Sequence, residues 1–233
     1  MAATSPVSER STVAALLLLT FATGLADSIS ILVLGHVFVA NMTGNVVFFG
    51  FWLAPRTSID LTAVAVALPT FVTTTVLSGR LSRHFGDRAR QWITTVLAME
   101  IALLVTVSIL AGTGVLHYHD NTKLIMIGFL AVTFGLQHSS ARQFGIQELS
   151  TTVLTSTIVS LGLDSRLAGG TGERQKLRIS VVFTMCAGAF LGATLSRFVI
   201  APVFALTAAV VTVSLLIFRF GANEAKITAA DDV

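Results

Sequence analysis

The chain alternates between long apolar stretches and short polar connections. Eight stretches can be drawn: 13–34, 37–54, 61–80, 92–112, 123–141, 148–163, 179–197 and 200–219. About 20 apolar residues carry an α-helix across the hydrocarbon core of a bilayer. The pattern therefore predicts an all-α, polytopic transmembrane helical bundle. Stretch 148–163 is the shortest and most polar, rich in Ser and Thr. Stretch 37–54 is apolar, yet it places Asn41, Thr43 and Asn45 at alternate positions around Gly44. An amide left unpaired in hydrocarbon costs several kcal/mol, so 37–54 cannot be a plain lipid-facing helix.

Loop charge sets the topology. One basic loop holds Arg80, Arg83, His84, Arg88 and Arg90, and a second holds Arg166, Arg174, Lys176 and Arg178. Cytoplasmic loops carry the excess of Lys and Arg, so both belong on the inside. Three stretches separate them, and three crossings would put them on opposite faces. One of the three fails to cross. Its polarity selects 148–163 and, by internal similarity, 37–54. The outcome is six crossings, three per half, plus two broken or re-entrant segments, with both termini inside. Eight full crossings with one violation of the charge rule is the competing arrangement.

The internal similarity rests on three matches in the same order. Gly24-Leu25-Ala26-Asp27-Ser28 resembles Gly135-Leu136-Gln137-His138-Ser139. Thr43, Val47 and Gly50 match Thr155, Val159 and Gly162. Leu81-Ser82-Arg83 matches Leu195-Ser196-Arg197. They predict a duplication with halves 13–112 and 123–219, inverted because each half crosses an odd number of times. A single transmembrane domain, 13–219, is expected between a polar tail, 1–12, and a polar tail, 220–233. The run after residue 12 is too long for a signal-peptide core, contains Asp27 and precedes no convincing cleavage site, so it reads as a retained helix.

Composition agrees. The 233 residues are 54% hydrophobic and 12% charged, about half the charged share of a soluble domain. Mean hydropathy is +0.83. The net charge of +3 sits in short loops, which speaks for membrane topology and against nucleic acid. The one cysteine, Cys186, forms neither a disulfide within the chain nor a metal cluster, and reads as a packing residue. No metal or other cofactor is expected. The chain holds no His-Glu-x-x-His, Gly-x-Ser-x-Gly or P-loop, so no enzyme is expected either. Gly169-Gly170-Thr171-Gly172 lacks the Lys of a P-loop and reads as a linker.

Gly35-His36-Val37-Phe38-Val39-Ala40-Asn41-Met42-Thr43-Gly44-Asn45, Gly135-Leu136-Gln137 with Arg142, and Thr151-Thr152-Val153-Leu154-Thr155 occur in that order. Together they resemble the YoaK-type family of bacterial inner-membrane proteins, a domain of unknown function. The resemblance covers about 13–219 and implies a polytopic protein of roughly six helices in the bacterial inner membrane. It supplies no substrate and no catalytic residues. The chain departs from the family pattern at His138 and Ser139, where Asn or Ala is expected.

The candidate residues lie on a solute or proton path. Asp27 and Glu100 are the acids inside apolar stretches, and such acids face the bundle interior and pair. Asp27 either exchanges a proton or cements helices. Glu100 either does the same or reaches Arg in the basic loop. His138 matches Asp27 in the second half and either relays a proton or ends a helix near the cytoplasmic face. Arg142, one turn on, either neutralises Asp27 or flanks the membrane. Asn41, Thr43, Asn45, Gln137, Thr152 and Thr155 offer uncharged donors and acceptors that suit a small polar solute or hydrogen-bond neighbouring helices. Gly35, Gly44 and Gly50 are expected to allow close helix packing. Two functions compete: a small secondary transporter or permease, and a membrane scaffold without transport.

Overall fold

A computed structural model describes residues 5–53, 60–86, 88–142 and 154–221. The described residues form helices and no strand. In chain order they are α1 (Glu9–Ile29), α2 (Met42–Gly50), α3 (Leu61–Phe85), α4 (Ala89–Gly112), α5 (Lys123–Ala141), α6 (Leu154–Leu163), α7 (Gln175–Leu195) and α8 (Ala201–Phe220). Six are long and apolar enough to cross a membrane: α1 with its extension to Gly35, α3, α4, α5, α7 and α8. α2 and α6 are not. Nine residues of α2 rise about 14 Å, roughly half the hydrocarbon core. α2 and α6 fall within the two segments expected not to cross, 37–54 and 148–163, of which 148–153 lie outside the described residues.

α1 is at the centre. It packs against α7 and α8 and touches α5; α5 in turn packs against α3 and α4; α4 packs against α8. α2 leans on α3, and α6 on α7. Small residues bring α1 and α7 together. A Cβ added to Gly24 would overlap the Met185 carbonyl oxygen, one on Gly188 the Phe21 carbonyl oxygen, and one on Gly192 the Ser28 hydroxyl. Gly188 and Gly192 are four apart, the spacing that lets membrane helices approach backbone to backbone. That spacing was legible in the sequence and went unused there.

The connections are anchored locally. Asp60 caps α3 by accepting from the backbone N–H of Thr62 and Ala63 at 3.1 and 3.2 Å. It also pairs with Lys123 Nζ at 2.7 Å, which ties the start of α3 to the start of α5. Partial burial pushes the Asp60 carboxyl up. The Lys123 ammonium and the two amides outweigh that and hold it below the usual carboxylate range. At the opposite face Arg90 donates to the carbonyls of Pro6 (2.6 Å) and Arg219 (2.9 Å). The two described ends of the chain therefore lie at the face that carries the first basic loop.

Three packing expectations are corrected. Gly44 receives the Phe38 ring, not a neighbouring backbone, and that ring stacks on Phe48 at 5.9 Å. Gly50 has nothing within 4 Å of where a Cβ would sit. Cys186 is exposed on α7 instead of packed. Gly35 is needed for its conformation as much as for packing, because its φ of 132° is one that side chains rarely allow.

Candidate functional site

Past Ile29 the helix widens into one π-helical stretch, Ser30–Gly35. Gly35 and His36, both at positive φ, then reverse the chain. Residues 37–41 run outside any helix until Asn41 starts α2. Leaving the helix frees backbone groups, which in a membrane need protein partners or water.

Asp27 supplies two of them. Its Oδ1 accepts from the backbone N–H of Val39 at 2.8 Å and of Ala40 at 2.9 Å. Its Oδ2 accepts from the Asn41 side-chain amide. Asn45 fixes the next peptide: its Oδ1 accepts from Phe38 N–H at 2.9 Å and its Nδ2 donates to the Phe38 carbonyl at 2.6 Å. His138 comes from α5 on the far side and hydrogen-bonds the Ala40 backbone, with its ring 5.7 Å from that of Phe71. Residues 38–41 are thus gripped by α1, by α5 and by α2 itself.

The depth of this clamp follows from one contact. Gln137 Nε2 donates to Thr23 Oγ1 at 2.9 Å and to the Leu19 carbonyl at 3.3 Å. Thr23 lies fourteen residues into α1, and Gln137 fourteen into α5. The crossing helices alternate in direction, so these distances, about 21 Å each, are measured from opposite faces. Their contact is therefore about equally far from the two ends at which these helices begin. Asp27 and His138 are within about one helical turn of it, His138 in the last turn of α5.

The clamp unites Asp27, Asn41, Asn45 and His138, with Gln137 beside it. Thr43 and Thr155 are exposed, Thr43 in the first turn of α2 and Thr155 in that of α6, and Asn41 is half-buried. Arg142 is exposed just beyond α5; the Asp27 oxygens are taken by other donors. Thr152 lies outside the described residues. Glu100 is apart from the clamp. It is 0% exposed on α4 and, among the described residues, neither of its oxygens has a hydrogen-bond partner, so no described Arg of the basic loop pairs with it. Sequence reasoning missed Thr23, which anchors Gln137, and the backbone of 38–41, which is the ligand of both Asp27 and His138. Among the described residues no group of three or more His, Cys, Asp or Glu could hold a metal.

A family model described as "Protein of unknown function (DUF1275)" matches residues 15–217. The chain is also 30% identical over 194 residues to the UPF0700 transmembrane protein YoaK of Bacillus subtilis (strain 168), covering 78% of this chain and 82% of that one. No solved structure matches.

Proposed function

We propose that this chain, which belongs to the family of unknown function DUF1275, is a multi-pass permease for a small polar solute, which passes along the faces of its two half-membrane helices. The observation that carries the proposal is the helix break ahead of α2, gripped by Asp27 and His138. Non-helical backbone at membrane depth persists only inside protein or beside water. The exposed residues Thr43 and Thr155 give the same choice. With Asn41 they offer donors and acceptors of no net charge, which suits an uncharged polar solute and no chemical reaction. Broken helices at the meeting point of two halves are how many secondary carriers build a midplane site.

The helix pairings support an internal duplication. Exchanging the halves carries α1·α7 onto α5·α3, α1·α8 onto α5·α4 and α2·α3 onto α6·α7, and it returns α4·α8 to itself. With three crossings per half the copies are inverted, the arrangement that lets a carrier open alternately to either face. On the charge rule both basic loops and both termini face the cytoplasm of a bacterial inner membrane. On a Cys186→Ser background, cysteine at Ala168 should label only from inside and cysteine at His119 only from outside. The reverse pattern would refute this orientation.

Proteoliposomes loaded with a panel of small uncharged solutes test the function. The expected result is protein-dependent osmotic reswelling for a subset of solutes, changed by Thr43→Val without a change in melting. If no solute gives flux or shifts the melting of folded protein, the permease reading fails. A scaffold is the second reading. It is favoured because Asp27 and Asn45 spend their polar atoms on this chain's own backbone and on Asn41. It expects co-purification with a partner and no flux.

A further inference from the structure

The buried face of α4 is a regular stripe of Ile93, Leu97, Glu100, Leu104 and Val107, spaced by four, three, four and three residues. This is the spacing of a helix–helix seam. Glu100 occupies a position where the pattern asks for an aliphatic residue. It lies eleven residues from Ala89 and twelve from Gly112, at the centre of the span. Both of its oxygens are buried and lack a hydrogen-bond partner among the described residues. The contrast with Asp27 is sharp: one membrane acid is surrounded by N–H donors, and the other has none.

Among the described residues no counter-charge reaches Glu100. α4 packs against α8, α5 and α3. Arg219 ends α8, Lys123 opens α5, and Arg80, Arg83 and His84 are in the last turns of α3. On α4 itself Arg90 lies in the first turn and donates to the carbonyls of Pro6 and Arg219, and His138 on α5 is bonded to the Ala40 backbone. A bare carboxylate in such a place costs several kcal/mol even after relaxation. A metal cation is no remedy, since it would need further oxygen ligands and none is within bonding reach. A proton needs no second ligand.

We propose that Glu100 is a proton-binding site, closed in this structure, which holds its proton while α4 is packed against its neighbours and releases it only when water reaches the seam. This deepens the permease reading by naming the proton as the coupling ion, and it can be tested without a known solute. A carboxyl that cannot leave this position otherwise serves no packing purpose, because leucine would fill the stripe better.

Infrared spectroscopy of the purified protein in an ester-free detergent tests it. At neutral pH the protein should show the carbonyl stretch of a neutral carboxylic acid, and Glu100→Gln should remove one such band. Glu100→Gln copies the neutral acid in shape and should fold. If it does not, the same band can be followed in the unaltered protein labelled with ¹³C-glutamate, where the band should shift with the label. No band lost in Glu100→Gln, or no neutral-acid band that shifts with the glutamate label, would overturn the proposal. In proteoliposomes with a solute that is transported, Glu100→Gln should abolish the pH dependence of flux. Retained pH dependence would overturn the coupling role and leave the permease reading intact. A neutral acid band in a protein without any flux would overturn only the permease.

Discussion

Replacing Asp27 measures how much of the half-membrane helix rests on one side chain. Asp27 accepts three hydrogen bonds, two from backbone N–H groups and one from the Asn41 amide. In Asp27→Ala the two backbone donors lose their acceptor in a buried place, and the Asn41 amide loses it in a half-buried one. Each orphaned donor costs about 1–3 kcal/mol. For the two buried donors the total, about 2–6 kcal/mol, is a large share of the whole stability of many domains. In Asp27→Asn the remaining oxygen still serves Val39 and Ala40, as neutral bonds. Its new NH2 group faces the Asn41 NH2 group, and a flip of the Asn41 amide resolves that conflict. Charge-assisted bonds are roughly twice as strong as neutral ones, so the loss is about 1–3 kcal/mol. The double variant Asp27→Asn/Asn41→Asp restores a carboxylate and a donor across the same contact, and should recover part of it. The assay is thermal unfolding in detergent followed by monodisperse elution on size exclusion, for the parent, both single variants, Asn41→Asp and the double. The expected order is parent, Asp27→Asn, then Asp27→Ala far below, with positive coupling in the double. If Asp27→Ala melts with the parent, the clamp does not hold the turn. If the double variant is simply additive, the Asp27–Asn41 contact carries no energy.

Two further outcomes follow from the packing. Gly188→Leu should fail to assemble or should lose several kcal/mol, because even its Cβ overlaps the Phe21 carbonyl and overpacking against backbone is not relieved by a rotamer change; Gly50→Leu, with open space around it, should elute and melt as the parent does, and equal behaviour of the two would refute the α1–α7 contact. The Asp60–Lys123 pair should contribute about 1–2 kcal/mol through the α3 cap and the ion pair together. Its carboxyl is held below the usual range in the folded protein, so this contribution is complete above the ordinary carboxylate pKa and is lost as pH falls through the lower folded value. Melting of Asp60→Ala against the parent should therefore differ at neutral pH and converge in acid; a difference that grows in acid would reverse the assignment.

The crossings were legible in the sequence because lipid imposes a length and a composition on any helix that spans it. The parity of the two basic loops and its own polarity singled out the 148–163 stretch, and the internal similarity extended the conclusion to 37–54. Family membership was legible too, in the residues around Asn41-Met42-Thr43-Gly44-Asn45. What each polar residue does was not. Asp27 bonds residues 12 to 14 positions away, and Gln137 bonds Thr23 across 114 positions. No local period encodes such partners, because they depend on which helices meet and at what depth. The same reason separates Asp27 from Glu100. Both are single acids in apolar runs, alike on the page; only the folded neighbours give one a ring of donors and leave the other bare. Gly44 and Gly50 show the limit for small residues: spacing marks where close approach is allowed, as at Gly188 and Gly192, while the packed structure decides whether a backbone, a ring or open space stands opposite.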